Sequence, residues 1–184
     1  MRIGLRRAVT SCASLVTCVF VVACAASGSA GGGGARASDA MPEWFHLPCL
    51  EDSVDDFGWA LHEVMGISLR VPTEFRRELV PAVDELHFRR GQSTLDLYVR
   101  RDASRIFAGY AEAAARQRYC EGPIGGWIAE AVSFRDGFQY GFAARWADAS
   151  QGEYLAAVIR GATVRDATLL RQALFTLRFP GQKR

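Results

Sequence analysis

Trp127-Ile128-Ala129-Glu130-Ala131-Val132-Ser133-Phe134-Arg135-Asp136-Gly137-Phe138-Gln139-Tyr140-Gly141-Phe142-Ala143-Ala144-Arg145-Trp146 is the stretch whose reading decides the fold. Ile128, Val132 and Phe134 share one face of its first half, Asp136-Gly137 is a short-hairpin turn signature, and Phe138, Tyr140, Phe142, Ala144 and Trp146 take every second position of the return. Two strands joined by so tight a turn run antiparallel. Four of those five alternating residues are aromatic, so this face needs a cover.

Working outward, a turn at Asp148 to Gly152 leads to Tyr154–Ile159, apolar on both faces apart from the tyrosine hydroxyl, the pattern of a central strand. Asp166 can then cap a helix whose stripe is Leu170, Ala173, Leu174 and Leu177, stopped by Pro180-Gly181. On the other side, Glu121 to Gly126 reads as a loop that admits Trp127 to the sheet. Ahead of it Ile106, Tyr110, Ala113, Ala114 and Gln117 lie along one face of a helix that Asp102 can cap and that ends near Cys120. Leu86 and Phe88, then Leu95, Leu97 and Val99, alternate about the turn Arg90 to Ser93 and read as a hairpin. Ile67, Leu69 and Val71 form a half-buried strand closed by Pro72. Between Met41 and Met65 helical spacing (Leu50, Val54, Phe57, Leu61, Val64) and alternation (Phe57, Trp59, Leu61, Met65) compete, and a short helix followed by a strand is the reading adopted. The fold class is therefore α+β, a mainly antiparallel sheet with helices packed on it, in one domain over 41–184.

The chain before that domain has a different composition. Ala25 to Ala40 holds four consecutive glycines and nothing large to bury, so 24–40 reads as a tether with a root-mean-square reach of about 20–24 Å. Arg2, Arg6 and Arg7 precede the uncharged, largely apolar run Ala8 to Ala23, too short for the ~20 residues of a spanning helix, so 1–23 reads as a cleaved export signal. Its three arginines account for the basic balance: without them 19 of the 22 bases face all 20 acids, a net charge of −1. No basic stripe with interleaved aromatics remains, which argues against a nucleic-acid partner. Cys12 and Cys18 leave with the signal, and Cys49 and Cys120 are the thiols of the folded part. Outside the cytoplasm they are expected to pair, the alternative being two buried free thiols.

Two resemblances add to this. Val21-Val22-Ala23-Cys24 resembles the bacterial lipobox, which implies a diacylglyceryl group on the Cys24 thiol, cleavage before it and acylation of the new amino terminus. Ala25 stands where inner-membrane retention would often show aspartate, which points to the outer membrane in a cell that has one. In the folded part, Gly66-Ile67-Ser68-Leu69-Arg70-Val71-Pro72 and Leu169-Leu170-Arg171-Gln172-Ala173-Leu174-Phe175-Thr176-Leu177-Arg178-Phe179 resemble the opening and closing elements of the PsbP-like α/β/α sandwich superfamily. That resemblance implies a binding or assembly-assisting scaffold with no shared catalytic residues.

A search for chemistry returns little. His46, His62 and His87 are far apart in sequence, with neither H-E-x-x-H nor C-x-x-C to suggest a metal, and no G-x-S-x-G elbow supplies a nucleophile. Gly122, Gly125 and Gly126 precede a strand and so lack the helix N-terminus that holds phosphate, and the acids Glu51, Asp52, Asp55 and Asp56 lack EF-hand spacing. Neither catalytic residue, metal nor cofactor is assigned. The candidate binding residues are Phe138, Tyr140, Phe142 and Trp146, either plain core or an apolar floor for a lipid-like or glycan ligand, while Arg135 and Arg145 on the other face serve solubility. The expected function is a membrane-anchored, extracytoplasmic, non-catalytic interaction or assembly-accessory module with an envelope protein partner. The alternative is an envelope carrier or enzyme with a small-molecule pocket between sheet and helix.

Overall fold

In a computed structural model, residues 41–99, 103–113, 118–148 and 152–180 are described. The chain divides into two units, Met1–Arg36 and Ala37–Arg184, and all described residues belong to the second. The proposed signal, Cys24 and the whole of the tether lie outside the described residues, as does the expected cap Asp102.

Seven antiparallel strands form the main sheet. In chain order the elements are α1 (Glu43–His46), β1 (Ala60–Val64), β2 (Ile67–Val71), β3 (Arg76–Glu78), β4 (Glu85–Arg90), β5 (Ser93–Val99), α2 (Ala103–Ala113), β6 (Tyr119–Ile124), β7 (Trp127–Asp136), β8 (Gln139–Asp148), β9 (Gly152–Gly161) and α3 (Val164–Phe175). The sheet order is β3-β4-β5-β9-β8-β7-β6, and β1 and β2 make a separate two-stranded ribbon. The expected α+β class holds: an antiparallel sheet with helices packed against it.

The alternation in the sequence sorts side chains to two unlike faces. One carries Leu86, Phe88, Leu95, Leu97, Phe142, Ala144, Trp146, Leu155, Ala157 and Ile159 and forms the main core with α1, the β1–β2 ribbon and α3. The other carries Val132, Phe134, Ala143 and Val158, covered by Phe107, Ile106 and Tyr110 of α2. As expected of a central strand, β9 lies between β5 and β8 and is buried on both faces over Leu155–Ile159. At its end Gly161 lets α3 begin against the sheet, since a Cβ there would stand 2.5 Å from the Ala167 amide nitrogen.

Several expectations are corrected. Glu121 to Ile124 is not loop: it continues β6, pairing with β7 from Tyr119↔Val132 to Ile124↔Trp127. α2 is described only to Ala113, and Cys120 sits in a strand. Thr163, not Asp166, caps α3, its hydroxyl accepting from the Asp166 amide at 3.1 Å. The Asp166 carboxylate is nearly buried and turns instead to Ser93 Oγ (2.7 Å) and Arg90 Nη1 (3.1 Å), locking the β4–β5 hairpin to the start of α3. Ile128 does not join Val132 and Phe134 inside; it is 59% exposed.

The segment before β1 is a strap across the main core. Trp44 and Phe45 of α1 are buried, with Trp44 edge-on to Phe142 at 6.3 Å between centroids. Its tail is fixed twice. Cys49 and Cys120 form the expected disulfide. Arg171, wholly buried on α3, reaches Asp52 with Nη1 and the Pro48 and Leu50 carbonyls with Nη2, while its guanidinium lies 4.8–5.6 Å from the Trp44, Phe142 and Phe175 rings.

Candidate functional site

Two surface features remain once the core is accounted for. The first is a groove between the ribbon and the end of α3. The outer edge of β2 is stitched to the chain after that helix: Ser68 and Arg178 exchange backbone bonds of 3.0 and 2.8 Å, and the Arg70 amide donates to Thr176 Oγ1 at 2.7 Å. The turn of β6–β7 closes on the same tail. Gly125 holds φ +63° there, and a Cβ would stand 2.7 Å from that of Leu177. Between ribbon, turn and tail lies an open groove of about 1120 Å³, lined among others by Leu61, Glu63, Ser68, Arg70, Phe175 and Arg178. Its walls mix apolar patches with both signs of charge, Arg70 facing Asp56 at 3.4 Å. Such a lining fits a polypeptide segment better than an engulfed apolar ligand.

The second feature is a polar cluster beside α2. His87 stands opposite Asp96 across the β4–β5 hairpin, with Glu85 two residues earlier on the same face. Its Nδ1 lies 2.7 Å from Asp96 and its Nε2 2.8 Å from Glu85. Burial alone would lower the His87 pKa, but the hydrogen bonds its ring donates to the Glu85 and Asp96 carboxylates, with their negative charge, outweigh it and leave it raised. Arg160 lies 3.7 Å from Asp96 and donates to the Tyr110 hydroxyl. Tyr98, edge-on to His87 at 5.7 Å, has its phenol pushed up to about 12 by burial and then by Asp96 and Glu85. Both ring nitrogens of His87 are engaged, which makes it a cross-strand tie rather than a free base.

The sequence-derived candidates are placed as follows. Phe142 and Trp146 are completely buried, the Trp146 indole N–H donating to the Ile124 carbonyl at 3.0 Å, so they are core and not the floor of an open site. Tyr140 is half-buried under the Arg135 guanidinium at 4.1 Å, and Phe138 is 93% exposed at the turn, off the shared face. Arg145 is no mere solubilising residue: it pairs with Glu130, donates to Ser104 Oγ at 2.6 Å and covers Phe107, tying α2 to the sheet. Cys24 lies outside the described residues. Sequence reasoning passed over Arg171 and the partners of His87. Among the described residues no group of three or more His, Cys, Asp or Glu could hold a metal, and no helix is long and apolar enough to cross a membrane.

No family model matches the chain, and no curated protein matches it. Among solved structures, a protein from Bacteroides thetaiotaomicron aligns at 15% identity with a TM-score of 0.35. That alignment covers 65% of this chain and 47% of the other, so the chain spans about half the length of the protein it matches.

Proposed function

We propose that this chain is a bacterial lipoprotein, held on the extracytoplasmic side of a membrane by acyl chains on Cys24, whose domain is a non-catalytic interaction or assembly-accessory module of the cell envelope. The observation that supports this reading best is the groove beside the β1–β2 ribbon: open, of mixed polarity, and walled by backbone edges and paired charges. The alternative pocket between sheet and helix finds no such support, because Phe142, Trp146, Leu170 and Leu174 fill that space. The Cys49–Cys120 bridge accords with an oxidising compartment. Acyl anchoring raises the local concentration of a weak binder near its membrane partners, which suits an accessory factor.

The test has two arms. Fractionation of cells expressing Cys24→Ala is expected to move the protein out of the membrane fraction. A photo-cross-linking amino acid at Leu61 or Arg178 is expected to capture one dominant envelope protein in intact cells, and the same probe at Gln139 none. Capture at neither groove position, with a control lipoprotein cross-linking efficiently in parallel, refutes the groove as an interaction site.

A further inference from the structure

The loop between β3 and β4, Leu79-Val80-Pro81-Ala82-Val83, carries no charge, and it leaves Leu79 95% and Val83 85% exposed. Two apolar side chains so far out of water's exclusion on one five-residue loop, in a domain with a filled core, call for a partner. The charges around them say which kind. Arg76 and Arg77 lie on the exposed edge strand one residue ahead of the loop, with Glu78 between, and alternation sends the two arginines to opposite faces of the sheet. Neither makes an ion pair among the described residues. The acids nearby are already matched: Glu78 with Arg89 at 2.9 Å, Glu74 with Arg90 at 2.8 Å, and Glu85 with His87 at 2.8 Å, while Asp84 is nearly buried. The loop therefore presents an apolar tip near two cations that have no counter-charge in contact among the described residues.

We propose that the Leu79–Val83 loop is a second, reversible membrane contact that seats Leu79 and Val83 among the headgroups of an anionic bilayer, with Arg76 and Arg77 against lipid phosphates. Apolar residues that dip into the headgroup region while flanking arginines keep their heads at the phosphates follow the general pattern of interfacial binding. The proposal builds on the anchoring reading above, which brings the domain to a bilayer. Phe138 supplies the contrast. It is as exposed as Leu79, but it sits beside Asp136, next to an Arg135 already laid over Tyr140, and at the opposite end of the sheet: the loop adjoins the Glu85↔Tyr98 end of the hairpin, whereas Phe138 adjoins Tyr140↔Gly161. A domain resting on the bilayer through one end keeps the other in water.

The test uses the processed full-length protein purified from membranes, with Val83 or Phe138 replaced by an environment-sensitive fluorescent amino acid. Vesicles of equal parts phosphatidylglycerol and phosphatidylcholine, and of phosphatidylcholine alone, carry spin-labelled lipid as quencher. The expected result is a blue shift and quenching at position 83 in the anionic vesicles only, with neither at position 138. Arg76→Gln with Arg77→Gln is expected to lower the inserted-to-free ratio about thirtyfold, at ~1 kcal/mol per surface arginine. Absence of quenching at 83 while the protein floats with the vesicles overturns the proposal, as does equal quenching at both positions. Intact mass keeps the two readings apart. Acyl groups on Cys24 without quenching at 83 leave the anchor and remove the loop contact; quenching at 83 in protein without acyl groups does the reverse.

Discussion

Replacing Asp52 by alanine is expected to destabilise the domain more than replacing Arg171 by methionine, although Arg171 is the residue wholly removed from water. The Arg171 side chain is 0% exposed against 23% for Asp52. Desolvation lowers the Arg171 pKa to about 10, with the charge of Asp52 opposing the fall, so the guanidinium stays charged in any ordinary buffer. Asp52→Ala leaves that buried charge with carbonyls and ring faces but no counter-ion, at a cost of ~3–5 kcal/mol. Arg171→Met removes the charge and keeps an apolar stem against Trp44, Phe142 and Phe175. What it loses is the bonds to Asp52 and to the Pro48 and Leu50 carbonyls, about 1–3 kcal/mol, because Asp52 is partly exposed and its carboxylate can take water instead.

The two costs should not add. With the charge gone, Asp52 has nothing left to neutralise, so the double variant is expected near the Arg171→Met value, a coupling of at least ~2 kcal/mol. Urea unfolding followed by tryptophan fluorescence reads all three variants against a total stability of about 5–15 kcal/mol. An Asp52→Ala cost below ~1 kcal/mol, or strict additivity in the double variant, refutes the assignment of Arg171 as a buried, ion-paired clamp on the strap.

The remaining predictions concern the other ties. Because the folded-state pKa of His87 is raised, its contribution is complete below the unfolded value of 6.5 and is lost as pH rises through the folded value. The urea midpoint should therefore decline over that window, less steeply in His87→Gln; an NMR titration placing the His87 pKa at or below 6.5 refutes the tie to Glu85 and Asp96. His62, whose pKa is lowered by burial and then by Arg77, acts oppositely, contributing above 6.5 and losing that contribution as pH falls toward its folded value. Closing a 71-residue separation, the Cys49–Cys120 bridge is expected to contribute ~4 kcal/mol on the chain-entropy model, read as the loss in a double-alanine variant by urea titration. Gly161→Ala should cost about 1–3 kcal/mol by pressing α3 off β9, and an unchanged melting temperature would count against that close approach.

Much of the ribbon and of the main sheet was legible because alternation is strict wherever one face is buried. Ile67, Leu69 and Val71, and then Leu86 through Val99, announced their inward residues without ambiguity, and the structure buries all of them. Legibility failed where pairing rather than burial defines the strand. β6 does alternate, with Cys120, Gly122 and Ile124 turned inward and Tyr119, Glu121 and Pro123 exposed, but Gly122 and Pro123 are loop formers and hide that alternation, so its pairing with β7 is what shows it as a strand. The same holds for β3, whose three residues are all exposed. Arg171 was hidden for another reason: a single arginine inside an apolar helix stripe looks like the solvent side until its counter-ion, 119 residues earlier, is brought to it.

The His87 cluster, by contrast, could have been read. A turn at Gly91-Gln92 fixes the register of the β4–β5 hairpin and so places Asp96 opposite His87, with Glu85 already two residues away on the same face. What the sequence lacked was a reason to carry the register through. The consequence reaches the proposed role. Buried and half-buried polar groups of this domain serve as ties: Arg171 holds the strap, Asp166 the hairpin, Arg145 the second helix and His87 the sheet. A domain whose polar interior holds its own parts together presents its remaining polar chemistry at the surface, in the groove beside the ribbon and in two arginines near an apolar loop that have no ion pair among the described residues. That distribution is the premise on which the proposed interaction role rests.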